Sequence, residues 1–177
     1  MNSVAVFGSS QSGPGTPAFT LALELGRALA RRGAEVRCGG YGGVMEAVSR
    51  GAREMGGRVV GCTLGWEGEA RRANAYLTEE IPCATLDARI SALLAGTRAA
   101  VVLPGGIGTL NEMFWVWTLL LHGRDPERTL VLLGESYGDL LQFLGSRFEV
   151  DARVRALVRA AGSVEEAVTL ACGGVES

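Results

Sequence analysis

The residues with the clearest chemical potential lie in VVLPGGIGTLNE, Val101 to Glu112. An apolar run stops at Pro104, and Gly105, Gly106 and Gly108 follow, then Thr109 and Glu112. Glycines at these positions let the main chain approach a ligand closely. A helix opening at Thr109 turns its first N–H groups outward, at an end that carries about half a unit of positive charge. A phosphate monoester fits such a loop without lysine. Glu112 has two readings. Thr109-x-x-Glu112 has the spacing of a capping box, in which the glutamate bonds back to the cap residue. Ser163-x-x-Glu166 repeats that spacing where only a cap is expected. Yet a carboxylate just after a glycine-rich loop, at the carboxyl end of a strand, is also placed for catalysis.

Arg89, in LDARI, is the second candidate. It falls in the first turn of an expected helix, where the helix dipole disfavours a cation. That points to an anionic partner, either a ligand phosphate or Glu112. A solvated or ion-paired surface arginine is the alternative. His122, the only histidine, ends its helix beside Gly123 and is expected to stabilise that terminus rather than to act in catalysis. Cys38, Cys62, Cys83 and Cys172 are widely spaced with no CxxC pair, so reduced, mostly buried thiols are expected and no metal site.

Several chemistries are excluded. All 17 basic side chains counted as Lys+Arg are arginine, so no Schiff base can form and pyridoxal phosphate has no lysine to hold it. GSSQSGPGT resembles a P-loop, but Pro14 stands where its lysine is required. Neither GSSQSG, GGYGGV nor GIGTLN matches the GxGxxG dinucleotide fingerprint. No cofactor is expected. A formal charge of −2 argues against nucleic acid as a partner. The opening MNSVAVFGSS has no basic region followed by a long apolar one, and no apolar run reaches the roughly 20 residues of a membrane span. A cytoplasmic protein that binds no membrane is expected.

The elements that must position these residues alternate along the chain. SVAVFG, AEVRCGG, RVVGCTL, RAAVVLP and RTLVLLGE read as strands, and EIPCAT as a short one. Thr16-Pro17 caps and opens a first helix that ends at Gly33; GGVMEAVSRGAREMGG, LDARISALLAGT, TLNEMFWVWTLLLHG and SYGDLLQFLGSRF are further helices. DARVRALVRAAG and SVEEAVTLACGG are expected as two short helices at the end, and residues 65–80 as an irregular charged excursion. Near-continuous apolar strands alternating with helices mean a parallel sheet covered on both faces. The fold class is α/β, a Rossmann-like doubly wound parallel sheet, in a single domain over residues 1–177. The glycine loops after Phe7, Cys38 and Leu103 all fall at the carboxyl ends of strands, where such folds bind ligands.

PGGIGTLNE resembles the PGGxGTxxE motif of the LOG (Lonely Guy) family, formerly labelled possible lysine decarboxylases. GGYGGVMEAVSRGA resembles the family's second glycine loop and helix, and VAVFGSS its first strand and loop. The resemblance runs from the N-terminus to about Leu141. It implies a Rossmann-like, usually dimeric phosphoribohydrolase. Such an enzyme cleaves the N-glycosidic bond of cytokinin riboside 5′-monophosphates, and often AMP, to free base and ribose 5-phosphate. It implies a catalytic pair, Glu112 and the Arg89 of LDARI, the latter matching an MxxRK motif. Leu86 replaces the methionine of that motif, Ile90 the lysine, and Asn111 a further acidic residue. The family also contains molybdenum-cofactor carriers that bind without hydrolysing, which is the alternative function. The lysine decarboxylase label fails because this chain has no lysine for pyridoxal phosphate.

On this reading Glu112 stabilises positive charge on the ribose, and Arg89 binds the base or phosphate side and holds Glu112. Gly105, Gly106, Gly108 and Thr109 are expected to hold the phosphate. Gly8, Ser9 and Ser10 are expected to line the ribose or base. Gly39, Gly40, Gly42, Gly43 and Met45 are expected to form the facing wall, with Leu86 beside Arg89. Tight turns and close helix–sheet packing would use the same glycines. MFWVWTLLL is apolar all round its helix, so Met113–Leu121, with Trp115 and Trp117, is expected at a homodimer interface; an unusually buried core helix is the alternative.

Overall fold

The computed structural model describes residues 2–65 and 72–173. Seven strands form one sheet: β1 (Ser3–Phe7), β2 (Glu35–Cys38), β3 (Val59–Leu64), β4 (Glu79–Cys83), β5 (Ala99–Val102), β6 (Thr129–Leu133) and β7 (Val158–Ala161). Their order is β4-β3-β2-β1-β5-β6-β7, and every neighbouring pair is parallel. β1 and β5 are buried along their whole length, as continuous apolar runs in a doubly covered sheet should be. Among the described residues no helix is long and apolar enough to cross a membrane.

One face of the sheet carries α1 (Pro17–Arg31), α2 (Val44–Glu54) and α7 (Val164–Cys172), whose Leu25, Val48 and Val168 pack on Val4, Val36 and Val101. The other carries α3 (Leu86–Leu94), α4 (Ile107–Leu121) and α5 (Ser136–Arg147), with Leu93, Met113 and Tyr137 against Ala5, Ala100 and Leu132. Local signals set several helix starts. Thr16 accepts from the Phe19 N–H at 3.3 Å and Pro17 opens α1. Ser163 accepts from the Glu166 N–H at 3.2 Å, and Glu166 returns the contact by accepting from the Gly162 N–H at 2.8 Å.

Two expectations are corrected. DARVRALVRAAG holds only the single-turn α6 (Ala152–Arg155); its second half is β7, paired with β6 in the register Leu130↔Val158 to Leu133↔Ala161. Ladder pairing at the open sheet edge overrides the helical propensity of this Ala- and Arg-rich stretch. Of the irregular excursion, residues 66–71 lie outside the described residues. Residues 79–80 already belong to β4, so the chain returns to the sheet sooner than its composition suggests.

The strand order reverses between β1 and β5. The chain leaves β1 toward β2 on one side and comes back as β5 on the other, which opens a crevice at their carboxyl ends. Three loops meet there. The Ser9 N–H donates to the Pro104 carbonyl at 3.3 Å, and the Val44 N–H donates to the Ser9 carbonyl at 2.8 Å. The glycine loops after β1, β2 and β5 are therefore bonded into one edge.

Candidate active site

The helix after β5 begins three residues earlier than the capping-box reading requires. Its N-cap is Gly106, which offers no side-chain cap, and Ile107 is the first helical residue. Thr109 is therefore inside the first turn, where it is buried rather than capping. Glu112 is the sixth helical residue, too far along for its carboxylate to return to the cap. The capping-box reading fails for this reason. The uncapped N–H groups of the first turn keep their hydrogen-bonding capacity and the positive end of the dipole.

Glu112 points instead at Arg89, which α3 delivers from behind β4. Arg89 Nε donates to the Cys62 carbonyl at 2.7 Å, and Nη2 to the Gly39 carbonyl at 3.3 Å. Only Nη1 reaches Glu112, donating to Oε1 at 3.4 Å. The guanidinium is thus fixed mainly by backbone and gives the carboxylate one long contact. The Glu112 side chain is 14% exposed. Burial pushes its carboxyl up to about 7, against a smaller downward pull from Arg89.

Glu35 shows what a structural carboxylate looks like in this fold. It sits at the opposite end of β2 and accepts from Ser3 Oγ at 3.0 Å and Arg37 Nε at 2.9 Å, with Arg58 Nε 3.2 Å from its other oxygen. Each of its oxygens is engaged. Glu112 is under-paired by comparison, in a cleft, beside free helix amides. That combination makes Glu112 the candidate acting carboxylate of the cleft.

The cleft over the pair is about 580 Å³, within the usual range for small ligands. Gly8, Ser9, Ser10, Met45, Leu86, Arg89, Gly106, Gly108, Thr109 and Glu112 line it, as the sequence suggests. Gly39, Gly40, Gly42, Gly43 and Gly105 do not. A Cβ on Gly39 would lie 1.9 Å from Arg89 Nη2, and one on Gly43 2.3 Å from the Ser9 carbonyl oxygen. One on Gly105 would lie 2.2 Å from Thr109 Oγ1. Gly39, Gly43 and Gly105 let the three loops and Arg89 close on one another. By contrast, a Cβ on Gly106 or Gly108 would meet nothing within 4 Å. Those two border open space.

Sequence reading missed Gln11, Tyr41, Leu64 and Ile107, which complete the lining. A signal existed for Tyr41, the one bulky residue inside GGYGG. A second, more apolar cleft of about 510 Å³ adjoins the first and shares Arg89 and Glu112; Leu86, Ile90, Ile107, Leu110 and Phe114 supply its apolar wall. Ile90, where the family motif has lysine, is buried in the core under this wall. His122 is the C-cap residue of α4, away from both clefts.

Known proteins resemble the chain in sequence and in structure. A family model described as "Possible lysine decarboxylase" matches residues 45–171. A cytokinin riboside 5′-monophosphate phosphoribohydrolase of Mycobacterium tuberculosis is 38% identical over 99 residues, 55% of this chain and 53% of that protein. The chain thus spans about half the length of that relative. A protein of the same name from Rhodococcoides fascians is 33% identical over 149 residues, 80% of this chain and 73% of its own length. The X-ray structure of TM1055, a structural-genomics target, superposes with a TM-score of 0.74 at 32% identity, covering 96% of this chain and 97% of that one. The molybdenum cofactor binding protein of the phototrophic bacterium Rippkaea orientalis has the same TM-score at 22% identity, covering 96% and 94%, which is a likeness of fold. On the match over residues 45–171 and the relatives that share it, this chain belongs to the LOG family, the family described as possible lysine decarboxylases.

Proposed function

We propose that this chain is a phosphoribohydrolase. It takes a purine nucleoside 5′-monophosphate, either AMP or a cytokinin-type N6-substituted nucleotide, to free base and ribose 5-phosphate. The observation that carries this reading is the buried, under-paired Glu112 on the same helix as a set of uncapped N-terminal amides. From Gly108 to Glu112 the helix rises about 6 Å, at ~1.5 Å per residue. A 5′-phosphate held at the helix end thereby sets the ribose near the carboxylate. Names of relatives support the same reaction class.

In this reaction the C1′–N bond breaks with its electrons leaving on the base, while water oxygen bonds to C1′. The water gives up one proton, and the base gains one. Ionised Glu112 faces the positive charge that develops on the ribose ring and takes the proton from the water. Arg89 cannot act as the acid, because guanidinium does not deprotonate in proteins. It keeps Glu112 oriented and partly ionised. The test is product analysis by chromatography with AMP, other nucleoside monophosphates and N6-isopentenyl AMP, with Glu112→Gln beside the wild type. Free base from the wild type alone supports the hydrolase. No free base from any substrate, with tight nucleotide or pterin binding, makes the chain a carrier.

The open space over Gly108 gives a second expected result. Gly108 is exposed inside α4, and its φ is not positive, so alanine fits the backbone. Gly108→Ala should stabilise the fold by up to about 1 kcal/mol, and so raise the melting temperature by roughly 2–4 °C. The added methyl stands where the phosphate must approach, so affinity for AMP should fall at least tenfold. Thermal melts with and without AMP read both effects. Unchanged affinity would mean that the phosphate sits elsewhere.

α4 divides its apolar residues between two surroundings. Met113, Val116, Trp117 and Leu120 belong to the core, and Trp117 Nε1 donates to the Val154 carbonyl at 2.9 Å. Trp117 is therefore not an interface residue, contrary to the sequence expectation. Ile107, Phe114, Trp115 and Leu121 form an exposed stripe along the helix, with Ile107 85% exposed. We propose that this stripe pairs with a second copy of the chain. Light scattering after size exclusion should give a dimer at micromolar concentration, and Trp115→Glu a monomer. A wild-type monomer would sink the idea.

A further inference from the structure

We propose that Tyr41 is a positioning residue for the Arg89–Glu112 pair, its ring backing the Arg89 guanidinium and its hydroxyl holding the ring in place. The proposal rests on the reading of Glu112 as the acting carboxylate. Three of the five in-plane Arg89 N–H groups are directed at Cys62, Gly39 and Glu112. The face of the guanidinium is a further contact surface, and the Tyr41 ring centroid lies 5.8 Å from its Cζ. A guanidinium near an aromatic face is attracted by the ring quadrupole.

The tyrosine itself is tied at both ends. Its hydroxyl donates to the Leu64 carbonyl at 3.2 Å and accepts from the Leu64 N–H at 2.6 Å. Its backbone carbonyl accepts from Asn74 Nδ2 at 3.0 Å, and the Asn74 N–H donates to the Gly40 carbonyl at 2.8 Å. The hydroxyl is thus engaged with the end of β3 and is not offered to a substrate, although Tyr41 lines the cleft. That assignment makes it a support rather than a catalytic residue. The support matters because the Arg89–Glu112 contact is long. Arg89 pivots about its short bond to Cys62, and a ring behind it limits the swing away from the carboxylate.

The Glu112 carboxyl titration reads this directly, by carbon NMR of glutamate-labelled protein with the signal assigned from Glu112→Gln. Tyr41→Leu should raise the midpoint by about half a unit or more, because a displaced Arg89 no longer favours the ionised form. Tyr41→Phe keeps the ring and should shift it by less than half as much, which also serves if the leucine variant folds poorly. In an Arg89→Met background neither variant should move the midpoint. An unchanged or lowered midpoint in Tyr41→Leu, or an equal shift in both backgrounds, overturns the proposal, because Tyr41 would then act on solvation and not through Arg89. The titration needs no turnover. A wild type that releases no free base would refute the phosphoribohydrolase reading while the coupling of Tyr41 to Glu112 still stood or fell on its own.

Discussion

Glu112→Gln should abolish release of free base and, above pH 7, make the protein more stable. The loss of turnover is expected to be about 10³-fold, in line with removing a general base or a charge aimed at the transition state. Binding of AMP should change little, because the phosphate site proposed above is at the N-terminus of α4 and keeps its amides. The stability gain follows from the raised carboxyl. Glu112 has a folded-state value of about 7 against an ordinary value of 4.5. The folded protein therefore holds this proton more tightly than the unfolded chain. Stability from that preference is complete below about 4.5 and is lost as pH rises through about 7. Above that, ionised Glu112 strains the fold, and glutamine, of the same shape, removes the strain. The gain should be roughly 1–3 kcal/mol at pH 8 and near zero at pH 4. Denaturant titration at the two pH values measures it. A variant that is less stable at both and still releases base would make Glu112 a structural residue.

Much of this arrangement is legible in the amino-acid sequence. The strands can be read because a doubly covered parallel sheet needs unbroken apolar runs, and β1 and β5 have them. Glu112 stands out through residue type and its position after a glycine loop, and Arg89 as a cation in the first turn of its helix, while the resemblance to the LOG motifs is what pairs the two. What escapes is tertiary. Tyr41 follows β2 and Arg89 lies on α3, beyond β4; they meet only because β3 and β2 are neighbours and Arg89 reaches back over both. The start of α4 is easily misplaced because its cap is a bare Gly106, while Thr109 three residues on looks like a cap and is buried. The roles of the glycines cannot be separated by spacing either. Gly39, Gly43 and Gly105 are required by side chains and carbonyls that come from other loops, whereas Gly106 and Gly108 face open space. Only the packed loops distinguish these two uses.

Arg89→Met should cost activity and stability together, and the stability cost should grow with pH. Methionine keeps an unbranched apolar stem like that of arginine but is shorter and removes the charge and every donor. The Cys62 and Gly39 carbonyls lose their side-chain donor, at about 1–3 kcal/mol for each group left unsatisfied. Glu112 loses the one influence that lowers its proton affinity, so its carboxyl moves above about 7. At neutral pH it is then protonated and unable to take the water proton, and turnover should fall at least 100-fold, with partial recovery as pH is raised. Raising the folded-state value widens the pH window over which stability is lost. The variant should therefore fall further behind the wild type at pH 9 than at pH 6. Adding Glu112→Gln removes that second component and leaves only the loss of the donors. The double variant should exceed Arg89→Met alone most at pH 9, less at pH 6, and not at all near pH 4, where the carboxyl is protonated in both the folded and the unfolded chain. Such non-additivity is expected of two residues in contact. Equal losses at both pH values, or strict additivity, would show that Arg89 serves as a backbone clamp and has no electrostatic hold on Glu112.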